Sequence, residues 1–398
     1  MFFKKKKKVV KTRFDRIFLI VLDSVGIGEA DDAEKFDSVG ANTLKHTLEC
    51  SMHNLKNLKN LGLYNLLDDA DKDTETISYY CKAAEISNGK DTLTGHLEMM
   101  GVETKKPFNT YECFPDELIN QLVSKSGRNV IGNCIASGTE IIQQLGDEHV
   151  KTGDIIVYTS ADSVLQIAAH ESVVPLNELY EICEMAREIT KDEKYKIGRI
   201  IARPFTGSSG NYIRTGNRHD YALNPEDKTT LDELRRYGYE VISIGKIADI
   251  FNNCGITMSG PTRDNTDGIR KLLDITKKDF KGLCFTNLND FDSKYGHRRD
   301  ASGYADALKG FDEFIPHIIA NLTERDLMII TADHGNDPTY KGTDHTREFV
   351  PVLIYSKQLK KTGRLENLTT FASIGYTIAD NFKVPTPKIG QSFLDKLK

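Results

Sequence analysis

Carboxylates and imidazoles crowd one short stretch, Ala332-Asp333-His334-Gly335-Asn336-Asp337-Pro338-Thr339, followed by Gly342-Thr343-Asp344-His345-Thr346-Arg347-Glu348. An Asp-His pair with another His eleven residues on has the make-up of a metal site. Oxygen and imidazole donors without thiolate suit Mn, Zn or Fe better than they suit a structural zinc held by cysteines. Two further stretches repeat the pattern. Asp23 leads into Ser24-Val25-Gly26-Ile27-Gly28, and Asn289-Asp290-Phe291-Asp292 runs on to Gly296-His297. A lone Asp at such a place is most often the N-cap of the next helix. Three apolar runs that each end in Asp, two of them with His close behind, argue for ligation. The six donors divide into two sets, Asp292, His297 and His345 for one ion and Asp23, Asp333 and His334 for a second. Each set leaves coordination positions open, as catalytic sites do. Two divalent ions against three carboxylates leave net positive charge, which favours a bound phosphate.

A nucleophile comes from Gly89-Lys90-Asp91-Thr92-Leu93-Thr94-Gly95-His96. Gly and Asp precede residues of helix-forming character, so Thr92 is expected at a helix N-terminus. There the free N–H groups and the helix dipole attract phosphate. A Thr hydroxyl attacks poorly unless a base or metal activates it, and coordination by the Asp23, Asp333 and His334 ion would do that. The plainer reading makes Thr92 only a helix cap; beside the metal ligands it loses ground.

The elements that must position these groups are apolar strands. Arg16 to Leu22, Gly282 to Leu288 and Asp326 to Thr331 are nearly continuous apolar runs that stop abruptly. Such runs read as strands of a parallel sheet buried on both faces. In open α/β sheets ligands bind at the carboxyl ends of strands, so the three ends are expected to converge. Between 106 and 220 the character changes. Residues 115–125 and 177–189 read as amphipathic helices, and 129–132, 154–158 and 199–203 as strands. This block holds none of the six donors. The expected organisation is a core over 16–105 and 221–398 with an inserted α/β cap over 106–220. A helix at 230–237, a strand at 239–244 and a long helix at 305–322 are expected in the resumed core.

Asp23-Ser24-Val25-Gly26-Ile27-Gly28-Glu29-Ala30, the Lys90-Asp91-Thr92-Leu93-Thr94-Gly95-His96 segment and the stretch from Ala332 to Glu348 resemble phosphopentomutases of the alkaline phosphatase superfamily. The resemblance runs from about Arg16 to the C-terminus. It implies an α/β fold with an alkaline-phosphatase-like sandwich core, a mostly parallel sheet and an inserted cap. It implies an isomerase that interconverts ribose 1-phosphate and ribose 5-phosphate, and the 2-deoxy forms, in nucleoside catabolism. The residue matching Thr92 carries a phosphoryl group in that family, and a sugar 1,5-bisphosphate is the intermediate. The six donors would hold two Mn²⁺, with other divalent ions as substitutes, and a sugar bisphosphate would activate the enzyme. Ser160, Asp162, Arg199, Arg214 and Lys246 match substrate-binding positions. A metal-dependent phosphatase or phosphodiesterase would use the same core. Cofactor-independent phosphoglycerate mutase shares the superfamily, with a serine nucleophile and different motifs. A catalytically dead scaffold would have lost a ligand, and none is missing.

Composition narrows the field. The chain has 398 residues and a net charge of −5, so there is no electrostatic case for nucleic acid. Small sugar phosphates are the partners that the resemblance implies. Seven cysteines form no Cys-x-x-Cys pair, which fits free thiols in a reducing cytoplasm. No apolar run reaches the roughly 18–20 residues that span a bilayer. The segment Met1-Phe2-Phe3-Lys4-Lys5-Lys6-Lys7-Lys8 begins a lysine-rich stretch with no small-residue cleavage site after it. A solvated, disordered basic tail over 1–15 is expected.

Overall fold

The three apolar runs are adjacent strands in the computed structural model, which describes residues 11–67, 75–160 and 163–398. The chain divides into two units, Met1–Lys105 with Pro225–Lys398, and Lys106–Asn224. The first unit opens with β1 (Arg16–Leu22) and β2 (Tyr79–Ala83). The second holds β3 (Val130–Ile135), β4 (Ile155–Thr159), β5 (Val164–His170), β6 (Arg199–Ser208), β7 (Asn211–Arg214) and β8 (His219–Ala222). The first resumes with β9 (Glu240–Ile244), β10 (Met258–Gly260), β11 (Gly282–Leu288), β12 (Asp326–Thr331), β13 (Val350–Tyr355) and β14 (Gly363–Arg364).

The first unit's sheet runs β10-β9-β11-β1-β12-β13-β2-β14. From β10 to β12 every pairing is parallel, and β13 is antiparallel to both neighbours. All residues of β1, β11 and β12 are buried, which explains why these runs are apolar without alternation. Burying a Leu, Ile or Val side chain contributes ~1.5–3 kcal/mol, so a polar residue in these strands needs a partner to be tolerated. Register then decides where the strands end. Leu22 lies opposite Leu288, and Val21 opposite Thr331. The residues that follow therefore emerge at one edge.

The second unit has the strand order β3-β4-β5-β6-β7, with β8 also on β6. Helices Asp116–Ser126 and Leu176–Ile189 pack on Ile155, Val157, Leu165 and Ile167. Helix Gly138–Thr152 packs on Ile156, Tyr158 and Ala168, the other face of the same strands, as a period of two requires.

Three expectations are corrected. The boundary falls at Pro225, not 221, because His219–Ala222 is a strand paired antiparallel with β6 of the second unit. The long helix starts at Ala301, since the Asp300 carboxylate accepts from Gly303 N at 2.9 Å and begins it one turn earlier. The tail expected over 1–15 is ordered over its last residues. Phe14 is buried and exchanges backbone hydrogen bonds with the Asn381 side chain, at 2.8 and 3.0 Å. Residues 1–10 lie outside the described residues. Among the described residues no helix is long and apolar enough to cross a membrane.

Candidate metal centre

Asp23 directly follows β1, and Asp333 and His334 follow β12 by two and three residues. Their donor atoms lie within 4.8 Å of one another. Ser24 makes this approach feasible. It sits at φ 73°, in the left-handed region uncommon for residues with a Cβ, and its N–H donates to Asp333 Oδ1 at 3.0 Å. Asn287, the second-last residue of β11, donates from Nδ2 to Asp23 Oδ2 at 2.9 Å. The Nδ1 of His334 faces the carbonyl of Gly335 at 3.0 Å. A carbonyl can only accept, so Nδ1 carries the proton and Nε2 keeps its lone pair. That Nε2 is 3.4 Å from Asp23 Oδ1 and 3.4 Å from Asp333 Oδ2.

Asp292, His297 and His345 form the second triad, again within 4.8 Å. Asp292 and His297 are five residues apart, which would place them on different faces of an α-helix. Phe291–Gly296 is instead a π-helical turn, and His297 N bonds Asp292 O at 3.0 Å. An i→i+5 bond stacks residues five apart, and such turns recur at functional sites. His297 Nε2 is 3.2 Å from Asp292 Oδ2, and His345 Nε2 is 3.3 Å from Asp292 Oδ1. A bridge between Gly335 and Thr346 folds the loop back, so the rings of His334 and His345 stand 4.3 Å apart. The two triads are thus neighbours.

The residues fit a pair of divalent cations. Asp333 Oδ2 and His345 Nε2 are buried without a well-aligned hydrogen bond, although His96 Nδ1 and Asp292 Oδ1 stand 3.1 and 3.3 Å from them. Leaving such groups unpaired costs about 1–3 kcal/mol each, so a ligand is the natural partner. Burial, and then the charge of Asp333, push the Asp23 carboxyl above its usual range. Burial also works against ionised Asp292, but His345 and His297 hold its carboxyl well below that range. Cations seated among these oxygens and imidazoles would keep all three carboxylates ionised.

Thr92 is the first residue of helix Thr92–Met99. Its Oγ1 lies 3.1 Å from His334 Nε2 and 3.5 Å from Asp23 Oδ1. The N-cap Asp91 accepts from Leu93 N at 3.0 Å and Thr94 N at 3.1 Å, and the Asp91 carbonyl takes Gly95 N. Among the described residues, the N–H of Thr92 alone in that first turn lacks an acceptor. A helix N-terminus with a free N–H beside a hydroxyl is suited to a phosphoryl group. Gly95 lets the helix come this close: a Cβ there would lie 2.1 Å from Asp333 O. Arg347 fixes the approach to this helix, donating to Ser87 O at 3.0 Å and Gly89 O at 2.7 Å while paired with Glu85 and Asp32.

All seven residues expected at the metal centre are brought together. Four of the five residues expected to read substrate fall among the described residues. Ser160 follows β4, Arg199 opens β6 and Arg214 closes β7, all in the second unit; Lys246 follows β9 in the first. Asp162 lies outside the described residues. Sequence reasoning missed His96, Asn287, Asn336 and Arg299. His96 is buried, with Nδ1 2.8 Å from Thr92 O and 3.1 Å from Asp333 Oδ2. The signal for His96 was its place one helical turn after Thr92, and for Asn287 an amide inside an apolar run.

A family model described as the metalloenzyme superfamily matches residues 15–386. Among solved structures, the PH0037 protein from Pyrococcus horikoshii is 15% identical, with 94% of this chain and 98% of that chain covered and a TM-score of 0.49. The phosphoglycerate mutase of Leishmania mexicana is 11% identical, covering 97% and 98%, with a TM-score of 0.48. The alkaline phosphatase of the Antarctic bacterium TAB5 is 13% identical, covering 95% and 100%, with a TM-score of 0.38. The fold is α/β, and the first unit's sheet is mixed and mostly parallel.

Proposed function

Because the chain belongs to the metalloenzyme superfamily, we propose that its two triads hold a pair of divalent cations and that it acts as a phosphopentomutase, interconverting ribose 1-phosphate and ribose 5-phosphate and their 2-deoxy forms. The observation that carries this reading is the Thr92 hydroxyl, 3.1 Å from His334 Nε2, at a helix N-terminus beside six oxygen and imidazole donors. When bound, the two cations, Mn²⁺ by the resemblance, supply positive charge to the transferring phosphoryl group and lower the pKa of a coordinated hydroxyl.

The rest falls to the chain's own residues. Asp91 holds the first turn of the helix, which places Thr92 Oγ1 beside His334 and Asp23. Phosphorylated Thr92 gives its phosphoryl group to a free hydroxyl of the sugar phosphate. The threonine oxygen–phosphorus bond breaks, a sugar oxygen–phosphorus bond forms, and the hydroxyl proton passes to the threonine oxygen. The product is a sugar 1,5-bisphosphate. Its other phosphoryl group then returns to Thr92, leaving the isomerised sugar phosphate. We assign substrate reading to Ser160, Asp162, Arg199, Arg214 and Lys246, as the resemblance implies. A sugar bisphosphate would restore enzyme that has lost its phosphoryl group, so it should act as an activator.

Phosphorus NMR of purified protein with Mn²⁺ and ribose 1-phosphate tests the reading. Ribose 5-phosphate should accumulate with little inorganic phosphate, and peptide mapping should find phosphate on Thr92. Release of inorganic phosphate as the main product would make the protein a hydrolase instead.

A further inference from the structure

Three ligands of the second triad trace to one side chain that is not itself a ligand. Arg299 follows the π-helical turn and sits at φ 55°, an uncommon conformation that persists where surrounding contacts over-determine it. Its Nε donates to Gly342 O at 2.6 Å and its Nη2 to Asp344 O at 2.9 Å. Its Nη1 lies 3.0 Å from Gly296 O, 2.9 Å from Asp337 O and 2.6 Å from Asn336 Oδ1. One planar fork thus ties together the turn, the loop after His334 and the loop before His345.

Each tie ends at a ligand. Arg299 can only donate, so Asn336 must present its oxygen to it and its amide nitrogen to Asp292, whose Oδ1 accepts at 2.8 Å. The carbonyls of Gly342 and Asp344 flank Thr343, whose own carbonyl accepts from His297 Nδ1 at 2.8 Å. That bond puts the proton on Nδ1, so the lone pair of His297 sits on Nε2, the nitrogen that faces Asp292. Asp344 is joined directly to His345. The first triad has other supports: Asn287 for Asp23, Ser24 N for Asp333 and Gly335 O for His334.

We propose that Arg299 is a positioning residue for the Asp292, His297 and His345 site alone, setting that site's affinity for a divalent cation independently of the other. This rests on reading the two triads as metal sites. Partners that orient ligands are typically worth about 10–100-fold in metal affinity, and that is the loss expected at one site in Arg299→Ala.

The test is a Mn²⁺ titration of the full chain after chelator stripping, followed by electron paramagnetic resonance. Wild type should bind two ions and give the signal of a spin-coupled pair. Arg299→Ala should bind one ion at wild-type affinity and the other weakly, with a single-ion signal like that of His345→Ala. Excess Mn²⁺ should restore the coupled signal in Arg299→Ala and not in His345→Ala. Arg299→Lys keeps the charge but not the fork and should also lose the second ion. Two ions at wild-type affinity in Arg299→Ala, or equal weakening of both, would overturn the proposal. Wild type binding fewer than two ions would instead overturn the metal reading beneath it. If Arg299→Ala does not fold, Asn336→Ala decides, since it cuts the same link to Asp292; an undisturbed second site there also overturns the proposal.

Discussion

Removing the cap at Asp91 should separate holding the helix from placing the nucleophile. In Asp91→Ala the amides of Leu93 and Thr94 lose their acceptor, and so does the Thr94 hydroxyl, bonded to Asp91 Oδ2 at 2.6 Å. Loss of an N-cap costs about 0.5–2 kcal/mol. For a unit of this size each kcal/mol lowers Tm by about 2–4 °C, so a drop of roughly 1–8 °C is expected. The effect on chemistry should be larger. Thr92 Oγ1 is placed by the first helical turn against His334 and Asp23, and a shift of about 1 Å in a reacting atom can cost on the order of a hundredfold. Asp91→Asn keeps an oxygen acceptor for both amides and should recover most of both losses. The assay is the rate of Thr92 phosphorylation by a sugar bisphosphate, followed by intact-mass spectrometry well below the transition. Wild-type phosphorylation in Asp91→Ala, with the Tm lowered as expected, would show that the cap stabilises the helix without placing the hydroxyl.

Chelation should destabilise the protein, because cations that bind only the folded state contribute about 2.7 kcal/mol per site at a hundred times Kd. Calorimetry should show Tm rising with Mn²⁺ in wild type, by less in His345→Ala, while Asp333→Ala and His345→Ala both abolish turnover; a Tm indifferent to Mn²⁺ contradicts the assignment. In the second unit, buried His149 donates from Nδ1 to Asp154 O at 2.6 Å and accepts at Nε2 from His170 N at 2.8 Å. Burial lowers its pKa, so the unfolded chain binds the proton more readily. Its contribution is therefore complete above the ordinary pKa of about 6.5 and is lost as pH falls from there towards the lowered folded value. Hydrogen exchange over the helix Gly138–Thr152 should quicken on acidification across that range, and an equal acid response in His149→Gln would refute this origin.

Much of this was written locally in the chain. Arg16 to Leu22, Gly282 to Leu288 and Asp326 to Thr331 are strands over the expected residues, because burial on both faces leaves an apolar run that needs no context to read. The helices at 116–126 and 176–189 fall within a residue of expectation, since a 3.6-residue apolar stripe is equally local. The donor types and the Gly-Lys-Asp-Thr turn named the candidate chemistry, and an acidic cap before Thr92 is a signal carried by neighbouring residues.

What only the tertiary structure decided depends on partners remote in sequence. Phe14 left the expected tail because its partner, Asn381, is 367 residues away. The boundary moved to Pro225 because β8 belongs to the strand it pairs with, and pairing has no sequence-local mark. Residue type puts Asp292 and His297 in one set, and only the structure supplies the π-helical turn that stacks residues five apart. Arg299 reads as one more surface cation in Gly296-His297-Arg298-Arg299-Asp300, and only folding brings three carbonyls and an amide within its reach. Residue type states which bonds a side chain can make; register and loop closure, which join residues hundreds of positions apart, determine which bonds it does make.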